Sequence, residues 1–168
     1  MLIDSLIDAT VNVGWISIPK SFVLCIIFSI NRKIRIKEII RTYLFVTYIN
    51  FVLWMTIFSR PIGIYPKKIT FFVYLLKYDW YSLLQVIQNI SLMIPFGMFM
   101  RKYMVTIFVI GLTLCFSVFI EITQLITRCG TFQVDDIIFN TIGGAVGCLV
   151  YSLIYLHSKN DEHTFERN

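Results

Sequence analysis

Charge is what this sequence has least of. Charged residues make up only 15% of it, well below the quarter usual in a soluble domain. A single soluble core needs a polar exterior. A 168-residue chain that is 57% apolar, with a mean hydropathy of +0.75, has too little polar surface to build one. Histidine is scarce too, with His157 and His163 both close to the C-terminus. No HExxH and no GxSxG occurs, so no established catalytic signature is present. Four cysteines are present, but no CxxC pair. Neither a disulfide framework nor a zinc site is therefore expected. Cys25, Cys115 and Cys148 fall in apolar segments, where cysteine is usually a small packing residue, and Cys129 falls in a polar loop. The opening MLIDSLID is acidic and lacks a basic n-region, so a cleaved secretory signal is not expected.

What the chain does have is long apolar runs. A helix needs about 20 mostly apolar residues to cross the hydrocarbon core. Five stretches come close: Val11–Ile30, Thr42–Phe58, Leu83–Met100, Tyr103–Ile126 and Ile137–Leu156. The fold class expected is all-α, a polytopic bundle of about five transmembrane helices with the lipid bilayer as its first partner. Lys20 strains the first span, and Gln85, Gln88, Asn89 and Pro95 strain the third. Residues 1–40 are read as a first span and a basic loop, 41–156 as a helical membrane domain, and 157–168 as a polar tail. The longest loop, Ser59–Ser82, is rich in Tyr, Phe, Lys and Trp, as suits a headgroup boundary.

The net charge of +5 does not point to nucleic acid. Its basic residues lie in short runs between apolar stretches, which is the pattern of topology signals. Arg32, Lys33, Arg35, Lys37 and Arg41 form the strongest run, and Arg101–Lys102 and the tail fall on the same side. That side is expected to be cytoplasmic, giving an N-out, C-in topology.

Polar residues gather in the C-terminal half. Glu121, Gln124 and Arg128 sit at i, i+3 and i+7, on one helical face and its end. Asp135 and Asp136 open the last helix, where free amides and the dipole favour negative charge. Asn140 follows one turn on. By helical rise, Asn89, Glu121 and Asn140 lie about 9, 8 and 6 Å below the same face of the membrane. The candidate binding set is Asn89, Glu121, Gln124, Arg128, Asp135, Asp136 and Asn140, and Glu121 is the candidate catalytic residue if there is one. An ionisable group within a span is a functional candidate by default. The bland readings are a helix cap for Asp135 and Asp136, and an interface anchor for Arg128. Pro95 could open the backbone near the midplane. Gly143 and Gly147 form a GxxxG ridge suited to close helix contact, including a helix-mediated oligomer.

Four stretches resemble the VanZ-like family: WMTIFSR (Trp54–Arg60), NISLMIPFG (Asn89–Gly97), EITQLITR (Glu121–Arg128) and VDDIIFNTIGGAVG (Val134–Gly147). They occur in order, and the resemblance covers roughly Arg41 to Tyr155. It implies a multi-pass protein of the bacterial plasma membrane, in a family associated with resistance to teicoplanin-type glycopeptides. It supplies a phenotype class rather than a reaction. One departure is Gln133, where the family often has an acid, and this weakens any three-carboxylate metal site. No metal and no cofactor is expected.

Two function classes follow. The first is a binding protein whose outward polar pocket holds the headgroup of a lipid-linked wall precursor or a glycopeptide. Arg128 would meet a phosphate or carboxylate there. The alternative is a membrane enzyme on a lipid-linked envelope substrate, with Glu121, Asp135 and Asp136 as acid–base or metal-binding groups. A small transporter is a third reading, but no pair of broken helices supports it.

Overall fold

The computed structural model describes residues 36–72 and 79–165, with side chains placed as far as 157. The chain divides into two compact units between Ile64 and Tyr65. The first expected span, Val11–Ile30, lies outside the described residues, as do Lys20, Cys25 and most of the basic run before Ile36. Among the described residues four helices are long and apolar enough to cross a membrane: Ile36–Phe58, Trp80–Arg101, Thr106–Thr127 and Val134–His157. The chain is an all-α, multi-pass membrane protein, and four of the five expected spans stand where the apolar runs placed them, within a few residues at most ends.

The first unit contributes helix α1 (Ile36–Leu53), which continues into a π-helical turn over Trp54–Phe58. The wider turn is closed by the Ser59 amide, which donates to the Trp54 carbonyl at 2.9 Å. Several polar side chains here bond to their own helix. Asn50 Nδ2 donates to the Val46 carbonyl and Thr56 Oγ1 to that of Val52, both at 2.8 Å. Arg41 pairs with Glu38 one turn earlier at 2.9 Å.

The second unit holds helices α2 (Trp80–Arg101), α3 (Thr106–Thr127) and α4 (Val134–Phe165), with two short strands, β1 (Ile69–Thr70) and β2 (Phe132–Gln133). Asp79 starts α2 by accepting the Ser82 amide at 2.8 Å, the bond a free N-terminal N–H requires. The helix then runs without interruption through Pro95, so the expected opening of its backbone does not occur. α3 stops at Arg128, which takes a left-handed conformation with φ +56°. This reverses the chain within a few residues, so that α4 runs back alongside α2 and α3. Several hydroxyls within the spans bond locally. Thr113, Thr123, Thr141 and Ser152 each donate to the carbonyl four residues earlier, at 2.7–2.9 Å.

α4 packs against both other helices, most extensively against α2. Small residues make this contact close. A Cβ on Gly143 would overlap the Ile90 carbonyl, one on Gly147 the Ile94 carbonyl, and one on Gly97 the Gly144 carbonyl. Lipid gives little hydrophobic drive between helices, so backbone approach of this kind supplies the packing energy. The oligomer contact expected at Gly143 and Gly147 therefore has a competing occupant, since α2 of the same chain already lies on that ridge. Met93, Phe96, Val109 and Ile120 fill the centre, and Phe96 stacks on Phe116 with ring centroids 5.5 Å apart. Outward faces carry exposed apolar residues such as Ile107, Phe108, Leu149 and Leu153, as a lipid-facing surface should.

Candidate functional site

The polar set converges at one end of α2, α3 and α4. α3 buries a stripe of polar side chains: Thr113, Ser117, Glu121 and Gln124. Their spacing of four, four and three residues holds them on one helical face. Glu121 is 2% exposed, Gln124 3%, Asp135 1% and Asn140 5%. Polar burial to this degree is costly without hydrogen bonds.

Three of those bonds join separate elements. Asn89 Nδ2 donates to Asp136 Oδ1 at 2.7 Å, joining α2 to the first turn of α4. Asn140 Nδ2 donates to Ser117 Oγ at 2.8 Å, joining α4 to α3. The Gln133 amide donates to Glu121 Oε2 at 2.7 Å, joining α3 to β2. Asn140 keeps an enclosed Oδ1 with no hydrogen-bond partner among the described residues, a free acceptor at the heart of the cluster.

Arg128 stands apart. It is exposed, and its Nε donates to the Tyr65 carbonyl at 3.2 Å. The left-handed turn takes it off the helical register that would have aligned it with Glu121 and Gln124. Arg128 instead helps to seam two distant loops. The Tyr65 amide returns a bond to the Arg128 carbonyl at 3.0 Å, and the Phe132 amide donates to the Lys68 carbonyl at 3.0 Å. Thr70 Oγ1 donates to the Phe132 carbonyl at 3.3 Å. β1 and β2 pair in parallel through Ile69–Phe132 and Thr70–Gln133. Glu121 thus holds the inner edge of this seam through Gln133.

Sequence reasoning passed over Ser117, although it lies one helical turn from Glu121 on the same face. Cys129 does lie in the loop after α3, but the structure buries it completely, with Thr127 Oγ1 3.2 Å from its sulfur. Nothing local in the sequence signals that burial. Among the described residues no three of His, Cys, Asp and Glu gather closely enough to hold a metal ion.

These features define a class: a small helical membrane protein with a buried polar network at one end of three spans, sealed by a two-strand seam. The family model VanZ/LLP1 matches residues 45–155, and the chain belongs to that family. Comparison with curated proteins and with solved structures finds no match.

Proposed function

We propose that this VanZ/LLP1 protein works in the bacterial plasma membrane as a binding protein for a polar headgroup. The headgroup belongs to a lipid-linked wall precursor or to a teicoplanin-type glycopeptide, and holding it contributes to glycopeptide resistance. The observation that carries the reading is the burial of Glu121, Gln124, Asp135 and Asn140 together at one end of membrane-crossing helices. Ionisable and amide groups are expensive at that depth, and packing alone would be served as well by apolar side chains. Asn89 and Asp136 form the α2–α4 side of the same site, and Arg128, outside the buried set but exposed in the adjoining seam, is the cation for a phosphate or carboxylate.

The expected orientation puts this end outside and Arg101–Lys102 inside. Buried Cys129 is a poor reporter of side, so a cysteine introduced at exposed Lys67 is the better one. Lys67→Cys should take an impermeant maleimide on intact cells. Labelling only after the cells are opened reverses the orientation.

The function itself is tested by replacing Glu121 with Gln and Asp135 and Asp136 with Asn in one protein. This should abolish any teicoplanin tolerance conferred by the wild type, at equal protein level. Full tolerance from the triple variant would remove the cluster from the function.

A further inference from the structure

The end of α2 and α4 opposite the acidic cluster holds a cavity of about 480 Å³. It is lined by Arg101, Lys102, Tyr151, Ser152, Tyr155 and Leu156, so it carries two cations and no acid. Asn89 is twelve residues from Arg101, and Asn140 twelve from Ser152, which sets the two ends about 18 Å apart along the helices. This cavity is therefore separate from the site described above.

Its chemistry is that of an anion site at a membrane boundary. Arg101 Nη1 donates to the Met104 carbonyl at 3.2 Å. Its Nε is enclosed and finds no acceptor among the described residues. A buried N–H almost always has a partner, and this one faces a cavity with room for an acceptor. The Lys102 ammonium lies 5.1 Å from the centre of the Tyr103 ring. Tyr151 and Tyr155 stack with ring planes 10° apart. Ser152 Oγ donates to the Cys148 carbonyl at 2.9 Å, which leaves its oxygen able to accept. An ordinary pair of topology charges would extend into water. Here the guanidinium instead turns back to the Met104 carbonyl, with its Nε enclosed and the residue half-buried at the cavity.

We propose that this cavity binds the phosphodiester of an anionic phospholipid. The Arg101 fork and the Lys102 charge meet the phosphate, and Ser152 accepts a hydroxyl of the headgroup glycerol. The exposed leucines Leu149 and Leu153 continue along α4 from the cavity toward the membrane centre and lie beside an acyl chain. That apolar continuation favours a lipid over a soluble phosphate. A zwitterionic lipid would bring its own cation against Lys102 and bind less well.

The test uses the purified full chain in detergent, titrated separately with phosphatidylglycerol, phosphatidylcholine of the same chains, and glycerol phosphate. Bound ligand is counted by native mass spectrometry. Phosphatidylglycerol should bind at least tenfold more tightly than phosphatidylcholine, and glycerol phosphate only weakly. Arg101→Gln with Lys102→Gln should remove that preference. Ser152→Leu, which fills the cavity and keeps both charges, should lower phosphatidylglycerol binding as well, and it keeps the test valid if the charge variant fails to fold. Equal binding of the two lipids, unchanged preference in a folded variant, or glycerol phosphate binding as tight as the lipid would each overturn the assignment.

Discussion

Leucine at Gly143 should leave little folded protein in the membrane. The first side-chain carbon at this position would overlap the backbone carbonyl of Ile90. A flexible side chain could move aside, but a carbonyl inside a helix cannot. Overpacking typically costs about 1–3 kcal/mol, and more where backbone must shift. Here α4 and α2 would have to separate along the whole Gly97–Gly144–Gly147 contact. The Asn89–Asp136 bond, at 2.7 Å, would be lost with it, since Asn89 adjoins Ile90 and Asp136 lies two helical turns before Gly143 on α4. Proteins keep only about 5–15 kcal/mol of net stability, so the combined loss is a large share. Gly111 supplies the control, because nothing lies within 4 Å of a carbon added there. Gly111→Leu should extract from membranes and melt like the wild type, whereas Gly143→Leu should aggregate or melt far lower. Equal melting of Gly143→Leu and wild type would mean that the helices do not meet as described.

Removing the Glu121 acceptor should open the seam without dissolving the bundle. Its Oε2 receives the Gln133 amide, and Gln133 is paired in turn with Thr70. Glu121→Leu leaves that amide without its acceptor, a loss of about 1–3 kcal/mol where the donor stays buried. Amide hydrogen exchange at Gln133 and Phe132 should rise by one to two orders of magnitude, while the centre of α3 stays protected. Glu121→Gln behaves differently, since its amide oxygen can still accept from Gln133. It should keep most of the protection and lose only the carboxyl chemistry. The pair therefore separates a structural role from a chemical one. Fast exchange in both variants would show that the carboxyl group itself is needed simply to close the seam.

The spans were legible because apolar length is a long-range average, and four of them appear with their limits shifted by a few residues. The glycine ridge was legible as spacing, but not its occupant. Nothing in Gly143 and Gly147 says whether the facing helix belongs to the same chain. Glu121 and Gln124 were found by helical register, and the same register extended by one turn would have found Ser117. Arg128 escaped that logic because a left-handed residue ends the helix at that position, and arginine carries no sign of it. The β1–β2 pairing was not legible at all. Strands of two residues have no periodicity, and they join positions 69–70 to 132–133. Cys129 lies in the loop between α3 and β2, and nothing in that loop's composition signals its burial.

The central claim is that the buried polar cluster around Glu121 serves a ligand. The direct test is binding by the purified protein in lipid nanodiscs, using a lipid-linked wall precursor and a teicoplanin-type glycopeptide as separate probes. The account predicts saturable binding of at least one probe by the wild type. It predicts a tenfold or greater loss in Glu121→Gln, with exchange at Gln133 still slow. Undiminished binding by Glu121→Gln, or no saturable binding of either probe by the wild type, would contradict it.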